Sequence, residues 1–266
     1  MKKILSLVLS VVVILTLVGC GAKKETVVTD KKVIKVGASP VPHEEILDVV
    51  KPLLKKEGYT LEIVEFADFV MPNTALAEGE LDANFFQHVP YLETFSKEKG
   101  LDLTYTVKVH IEPMGLYSSK YKTLSELKDG AKIAIPNDPT NGARALRVLE
   151  NAGLLKLKDG DLISKDDITE NLKNFKITEL EAPQLPRVLG DVDAAVINSN
   201  FALEAKLKLT DALAVEAKDS PYANVLAVRT EDKEKPYIKA LSKALTSPEV
   251  KKFIEDKYKG AVIPAF

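Results

Sequence analysis

Short runs rich in β-branched residues alternate along most of the chain with longer stretches of helical periodicity. Residues 33–38 predict a strand, and the segment after them places apolar residues at helical spacing as far as Gly58. The pattern begins again after Lys122, with a predicted strand over 131–136 and a predicted helix over 140–153. Such alternation is typical of an α/β protein whose strands are mainly parallel.

The two series of elements predict two lobes, each a mainly parallel sheet flanked by helices. We assign residues 33–115 together with 230–266 to lobe 1, and residues 116–229 to lobe 2. Extended segments near 114–118 and 224–228 are expected to cross between the lobes, and the last helices are expected to return to lobe 1. The chain is long enough to bury two hydrophobic cores of this kind.

The N-terminal segment has the parts of a secretory signal peptide. Lys2 and Lys3 precede an apolar run over 4–17, which is too short and too soon followed by charge for a membrane span of ~20 apolar residues. Small residues then precede Cys20, which is the single cysteine of the sequence. We therefore expect residues 1–19 to be removed as a signal peptide rather than to form part of the fold.

The tetrapeptide Leu17-Val18-Gly19-Cys20 resembles a bacterial lipobox, in which cleavage leaves the cysteine first and its thiol carries a diacylglycerol. Two acyl chains would hold the protein at a membrane surface, because each buried methylene contributes ~0.8 kcal/mol. Residues 20–32 would then be the lipidated cysteine and a flexible polar tether. An ordinary signal peptide with an incidental cysteine is the alternative. An internal disulfide and thiol catalysis are excluded in both cases.

The composition argues against nucleic acid as a partner and against most classes of enzyme. Without residues 1–19 the chain has 35 basic and 39 acidic side chains, a formal charge of −4, which implies no strongly basic face. The sequence has no Gly-x-Ser-x-Gly elbow, no Gly-x-x-x-x-Gly-Lys loop and no Gly-x-Gly-x-x-Gly motif. We predict a protein with neither enzymatic activity nor a cofactor. A transition-metal site is an alternative, with Glu112 or Asp193 joining the histidines His43, His88 and His110.

The segment Asp82–Tyr91 is rich in aromatic and amide side chains and lies where a predicted strand passes into a helix. In an α/β sheet such junctions lie at the carboxyl ends of strands, where ligands bind. Successive residues of a strand face opposite sides, so one of Phe85 and Phe86 is expected in the core. We predict that Phe86, His88 and Tyr91 face a cleft.

A second junction follows the strand over 131–136, where Asn137–Arg144 opens a helix. Thr140 or Asn141 can cap the helix amides, and Arg144, one turn inside, can reach an anion at the same positive helix end. Arginine holds a carboxylate with two parallel hydrogen bonds. A solvated surface charge is the alternative, but the Asn-Asp-Pro-Thr-Asn prelude favours a ligand-binding arginine.

Two further asparagines lie beside predicted strands. Asn198 follows the strand over 194–197, and Asn224 begins the second crossover after Ser220-Pro221-Tyr222. The oxygen of an asparagine suits an ammonium group, and its amide nitrogen suits a carboxylate. Turn formation alone is the alternative for both residues.

Five sequence blocks, in their order along the chain, resemble the methionine-binding lipoproteins of the NlpA family, which are substrate-binding proteins of methionine-importing ABC transporters. The likeness extends over about residues 33–266 and follows the lipobox-like segment. The blocks are Asp82–Tyr91, Pro136–Asn141, Glu179–Arg187, Ala195–Asn198 and Ser220–Tyr222.

The resemblance implies a two-lobed periplasmic-binding-protein fold of the second type, with methionine clamped between the lobes. It also implies delivery of methionine to a membrane permease driven by an ATPase, by a protein that a lipid on Cys20 holds on the extracytoplasmic side of the cell membrane. The implied ligand contacts are Phe86, His88 and Tyr91 around the side chain, Arg144 at the carboxylate, and Asn198 and Asn224 at the polar head, with Asn84 and Asn141 as further candidates.

One residue departs from the family pattern. Where the family often has tyrosine before Val-x-Pro-Asn, this chain has Phe69, so a hydroxyl is missing at a position that we count among the ligand contacts. Another apolar amino acid, a methionine-containing dipeptide and a transition metal are the alternative ligands.

Overall fold

Two β-sheets with helices packed on them make up the described part of the chain, residues 31–217 and 220–266 of a computed structural model. The predictions for residues 1–30, which are the signal peptide, the lipidated Cys20 and most of the tether, lie outside the described residues. None of the helices in the described ranges is long and apolar enough to cross a bilayer.

The helices in chain order are α1 (Glu45–Lys56), α2 (Met71–Ala77), α3 (Val89–Lys99), α4 (Pro139–Asn151), α5 (Ser199–Glu204), α6 (Pro236–Leu245) and α7 (Pro248–Tyr258). The strands are β1 (Val33–Ala38), β2 (Thr60–Glu65), β3 (Ala83–Phe85), β4 (Leu103–Ile111), β5 (Gly115–Tyr117), β6 (Lys132–Pro136), β7 (Lys156–Leu157), β8 (Ile168–Glu170), β9 (Lys176–Leu180), β10 (Ala194–Ile197), β11 (Ala214–Val215), β12 (Ala223–Arg229) and β13 (Ile263–Pro264).

The first sheet has the spatial strand order β13-β4-β12-β3-β1-β2. β1 is parallel to β2 and β3, whereas β12 is antiparallel to β3 and β4, and β13 is antiparallel to β4. The alternate residues Ile34 and Val36 of β1 pack with Ile46, Leu47 and the apolar stripes of α6 and α7. The last two helices therefore pack on the first sheet.

The second sheet has the order β11-β5-β10-β6-β9 and a core of its own. β6 is parallel to β9 and β10, whereas β5 is antiparallel to β10 and β11. Ile133 and Ile135 of β6 pack against Leu146 and Leu149 of α4, whose apolar residues recur at helical spacing. β7 and β8 form a separate two-stranded sheet.

The α/β architecture is confirmed, with two differences in detail. The sheets are mixed rather than mainly parallel, because strands that follow a crossover enter antiparallel to their neighbours. In addition, β12, which we assigned to lobe 2, pairs with β4 and β3 in the first sheet. The chain thus crosses to the second sheet over residues 112–114, the first crossover, and returns between β11 and β12, where the described residues 216–217 and 220–222 are called the second crossover.

Candidate ligand-binding site

The first wall of the site is the junction between β3 and α3. Phe85 packs in the first core and Phe86 lines a cavity, as the alternation of strand residues predicts. His88 precedes α3, and its Nδ1 accepts a hydrogen bond from the backbone N–H of Tyr91 at 3.1 Å. This bond caps the helix and leaves the proton of the neutral ring on Nε2.

His88 is uncharged at neutral pH and points toward the second sheet. Burial, and to a lesser extent the nearby Arg144 cation, lower the pKa of His88 to about 3. Its Nε2–H donates to Oδ1 of Asn141 at 3.2 Å. A hydrogen bond therefore joins the strand ends of the two sheets across the cavity.

The second wall is the junction between β6 and α4. Asp138 is the N-cap of α4, since its Oδ1 accepts from the backbone N–H of Asn141 at 2.9 Å, whereas we predicted Thr140 or Asn141 in that role. The side-chain amide of Asn141 also donates to Asp138, at 3.1 and 3.0 Å to its two oxygens. Asn141 therefore turns its Oδ1 toward His88 and toward Nδ2 of Asn198, which donates to it at 2.7 Å.

Arg144 is buried within the same helix, with 3% of its surface exposed. Its Nε and Nη2 donate to the carboxylate of Glu216 at 2.9 and 2.5 Å, and Nη2 also donates to the backbone oxygen of Glu112 at 2.7 Å. The guanidinium lies over the ring of Tyr222, 4.3 Å from its centroid. Nη1 has no hydrogen-bond partner among the residues that the structure describes.

A buried carboxylate, that of Glu112, follows β4 and lines the cavity. Its Oε1 lies 2.7 Å from Nε2 of His110 and 3.3 Å from Nε2 of His43. Burial lowers the pKa of His43 to about 4 and that of His110 to about 3, so both rings are neutral at pH 7. Burial also raises the pKa of Glu112, and the nearby His43 and Arg144 oppose this rise.

His43 links this carboxylate to the last predicted ligand contact. Its Nε2–H donates to Oδ1 of Asn224 at 3.1 Å, and its Nδ1 accepts from the hydroxyl of Ser39 at 2.7 Å. Because Asn224 also lines the cavity, the histidine fixes the positions of both an amide and a carboxylate there.

The donor atoms of His43, His110 and Glu112 lie within 4.8 Å of one another, which is compatible with a transition-metal site. The other candidates for such a site lie elsewhere: His88 belongs to the first wall, and Asp193 accepts from the backbone N–H of Lys132 at 2.8 Å.

The aromatic end of the cavity consists of Phe69, Phe86 and Tyr91. The Phe69 ring centroid lies 5.9 Å from that of Phe86 and 6.0 Å from that of Tyr91. Phe69 also contacts Phe201 of α5, at a centroid distance of 5.0 Å. The hydroxyl of Tyr91 donates to the backbone oxygen of Phe69 at 2.7 Å, so the segment that carries Phe69 is tied to α3.

The cavity has a volume of about 340 Å³, including its opening to solvent. Of the predicted ligand contacts, Asn84 alone does not line it. Asn84 lies deeper on β3, fully buried, where its amide donates to Asn73 at 2.8 Å and its oxygen accepts from Gln87 at 2.9 Å. The residues that line the cavity as predicted are Phe69, Phe86, His88, Tyr91, Asn141, Arg144, Asn198 and Asn224.

Four lining residues were missed by the sequence prediction. Gln87 lies inside the Asp82–Tyr91 block, and Ser199 and Asn200 follow Asn198 directly, so their neighbours gave a usable signal. Glu112 was considered only as a metal ligand. Its place in the first crossover, opposite Arg144, depends on the tertiary fold.

The chain matches the family model described as NlpA lipoprotein over residues 34–266. It is 42% identical to the D-methionine-binding lipoprotein MetQ of Salmonella typhi over 255 residues, which cover 94% of this chain and 93% of that protein. It is also 42% identical to the methionine-binding lipoprotein MetQ of Bacillus subtilis (strain 168), in an alignment 274 positions long that covers 99% of each chain.

The fold is also similar to that of solved structures. A nutrient binding protein from Burkholderia cenocepacia, determined bound to methionine, is 49% identical and superposes with a TM-score of 0.85. The match covers 88% of this chain and 100% of that one. The similarity therefore spans both sheets and the cavity.

Proposed function

The chain belongs to the NlpA lipoprotein family, and from that premise we propose that it binds methionine in the cavity and delivers it to an ABC importer. The relatives named for methionine binding, at 42% identity, support this function. The methionine-bound structure from Burkholderia cenocepacia, at 49% identity, supports it as well.

The observation that carries the proposal is the polarity of the cavity, which has fixed charges at one end and rings at the other. Nη1 of Arg144 is the donor for the carboxylate of a bound amino acid. The carboxylate of Glu112 and Oδ1 of Asn198, a buried oxygen without a hydrogen-bond partner among the described residues, are acceptors for its ammonium group. The aromatic end then surrounds the apolar side chain.

The energetics are sufficient for tight binding of a ligand as small as methionine. Burial of its side chain contributes ~1.5–3 kcal/mol. Each hydrogen bond to a charged group adds ~1.5–3 kcal/mol. Contact between the thioether and an aromatic ring is worth only ~0.3–1.5 kcal/mol, so selection against leucine depends mainly on the shape of the aromatic end.

We further propose a lipid anchor on Cys20, which would hold the protein on the extracytoplasmic side of the membrane beside its permease and ATPase. The relatives are named lipoproteins, and the lipobox-like segment precedes a polar tether. If Cys20 carries the lipid, Cys20→Ala protein expressed in the native host should leave the membrane fraction. Retention of that variant in the membrane would contradict the anchor.

The mechanism that we propose is capture between two lobes without chemistry. The lobes correspond to the two sheets, with the first and second crossovers as the hinges. Ligand contacts from both sheets and from the first crossover would bring the lobes together, and the closed form would dock on the permease.

A transition metal is the second candidate ligand, because the donor atoms of His43, His110 and Glu112 converge. The rings already form polar contacts with the carboxylate, at 3.3 and 2.7 Å, which favours a structural role for the group. Calorimetric titration of chelator-treated protein with Zn²⁺ separates the two functions. Saturable binding that His110→Gln abolishes would favour the metal.

The direct test of methionine binding is mass spectrometry of protein purified natively and then denatured. We expect released methionine, followed by saturable calorimetric binding to protein that has been unfolded, dialysed and refolded. Competition with leucine, with both isomers of methionine and with methionine-containing dipeptides then defines the specificity. Absence of saturable binding of any of these would contradict the proposed function.

A further inference from the structure

Glu216 follows β11 at the start of the second crossover and is paired with Arg144. Ten per cent of its side chain is exposed, and its two oxygens accept from Nε and Nη2 of Arg144 at 2.9 and 2.5 Å. Arg144 is among the described residues that line the cavity, and Glu216 is not. The carboxylate therefore occupies the edge of the guanidinium that is not available to a ligand.

We propose that Glu216 is a positioning residue for ligand binding, which holds Arg144 so that Nη1 meets the carboxylate of the bound amino acid. The inference rests on the proposed function, because it assumes an amino-acid ligand. It concerns a residue that neither the sequence prediction nor the lining of the cavity includes.

The guanidinium of Arg144 is held by hydrogen bonds in its plane and by an aromatic ring against its face. Glu216 takes Nε and Nη2, and the backbone oxygen of Glu112 takes Nη2 from another direction at 2.7 Å. The ring of Tyr222 lies under the guanidinium at 4.3 Å. A donor held in this way loses little conformational freedom when the ligand arrives, which favours affinity.

The same contacts connect Arg144 with both crossovers. The oxygen of Glu112 belongs to the first crossover, whereas Glu216 and Tyr222 belong to the second. Ser220, also in the second crossover, donates its hydroxyl to Oε1 of Glu216 at 3.2 Å. The residue that we expect to receive the ligand carboxylate is thus fixed by the two segments on which the lobes would move.

A competing role for Glu216 is that of an internal carboxylate that the ligand displaces from Arg144. The two roles predict opposite results for Glu216→Gln, which keeps the shape of the side chain but removes its charge and one acceptor. Loss of a positioning residue weakens methionine binding, whereas loss of a competitor strengthens it.

The first test uses ligand-free protein and reads the guanidinium itself by ¹⁵N NMR. The sequence contains four arginines, so the Arg144 signals can be assigned by their disappearance in Arg144→Lys. We expect separate, slowly exchanging Nη2–H signals in the wild type and averaged signals in Glu216→Gln. Wild-type-like Nη2 signals in that variant would overturn the proposal, whether or not the protein binds methionine.

The second test is calorimetric titration with methionine, for variants that keep the wild-type thermal unfolding midpoint. Glu216→Gln should weaken binding at least tenfold, Glu216→Asp less, and the control Glu234→Gln, at an exposed carboxylate paired with Lys239, not at all. In an Arg144→Ala background, Glu216→Gln should cause no further loss, because its effect passes through Arg144.

Unchanged or tighter methionine binding by Glu216→Gln would overturn the proposal. So would a loss of the same size in the Arg144→Ala background, since that result indicates a general structural role. A wild type that binds no amino acid would contradict the proposed function instead, and the NMR test would still decide how Arg144 is held.

Discussion

At the scale of single residues, the described site contains few charged side chains. Arg144 pairs with the carboxylate of Glu216 and lies near that of Glu112, and the three histidines near the cavity are neutral at pH 7 because burial lowers their pKa values. A zwitterionic ligand adds no net charge to this arrangement. An apolar amine would add a positive charge to this buried arrangement and a simple carboxylic acid a negative one, and burial of an unbalanced charge is costly.

Arg144→Ala should weaken methionine binding strongly. Removal of one partner from a buried, hydrogen-bonded charge pair costs about 2–5 kcal/mol, so we expect at least a thirtyfold rise in Kd by calorimetry. Arg147 on the same helix is the matched control, because it is partly exposed and pairs with Glu150. Arg147→Ala should change binding by less than about 0.5 kcal/mol. A loss that small for Arg144→Ala would place Arg144 outside the binding site.

Residue types at strand ends, together with the family resemblance, predicted most of the cavity lining from sequence. Arg144 and Asn198 follow strands whose carboxyl ends meet at one edge of a sheet, so their convergence follows from the α/β pattern. The depth of Asn84 along β3 and the pairing of Glu216 with Arg144 did not follow from it. Both depend on packing between segments that are far apart in the sequence.

At the scale of elements, helix caps hold ligand contacts in place. Asp138 accepts from the backbone N–H of Asn141 and also holds its side-chain amide. Ser247 caps α7 in the same way, through the backbone N–H of Val250 at 3.4 Å, but α7 packs in the first core. The two caps therefore have comparable structural roles, and only that of α4 is part of the cavity wall.

Asp138→Ala should reduce both stability and methionine affinity, whereas Ser247→Ala should reduce stability alone. Loss of an N-cap costs about 0.5–2 kcal/mol of unfolding free energy, which urea denaturation measures for both variants. In Asp138→Ala the amide of Asn141 also loses its orientation, so we expect calorimetry to show weaker binding for this variant only. Equal affinities in the two variants would show that the cap does not position Asn141 for the ligand.

The alternation of strands and helices was predictable because it depends on local periodicity. The order of the strands within each sheet was less predictable from the sequence. β12 carries the buried run Val225–Val228, which reads equally well as a strand of either lobe, and its pairing with β4 decides that it belongs to the first sheet. The mixed direction of the strands follows from the same long-range pairing.

At the scale of the whole molecule, buried neutral histidines make stability depend on pH. A histidine with a folded pKa below its unfolded value of about 6.5 takes up a proton on unfolding, so the free energy of unfolding falls as pH drops below 6.5. His88, with a folded pKa of about 3, contributes to this fall across the whole window from pH 6.5 to about 3. Glu112 acts in the opposite direction, because its pKa is raised in the folded state.

His88→Asn isolates one histidine, because asparagine is a good N-cap and does not titrate. Urea denaturation between pH 7.5 and pH 4.5 should show a shallower loss of stability in the variant, with a difference in slope that approaches ~1.4 kcal/mol per pH unit below pH 6. Above pH 7 the two curves should run parallel, which serves as the internal control. Parallel curves over the whole range would mean that His88 is not held neutral.

The last prediction concerns closure of the two lobes, each with its own core, when methionine binds. The His88–Asn141 hydrogen bond at 3.2 Å and the Phe69–Phe201 ring contact at 5.0 Å join the sheets across the cavity. Methionine bound to Arg144, Glu112 and the aromatic end would add contacts from both sides. At a concentration one hundred times its Kd, it should raise the free energy of unfolding by ~2.7 kcal/mol.

X-ray scattering should then show a smaller radius of gyration with methionine than without it, because only the closed form makes all these contacts. The control is Arg144→Ala, with both proteins measured at about ten times the wild-type Kd, where the wild type is about nine-tenths occupied and a thirtyfold weaker variant only about one quarter, so the radius of the variant should fall much less. Calorimetry establishes that one wild-type sample is free of methionine and that the other is saturated with it. If these two samples gave identical scattering, the cavity would fill without movement of the lobes. Specificity would in that case depend on a preformed site alone, and the crossovers would not act as hinges.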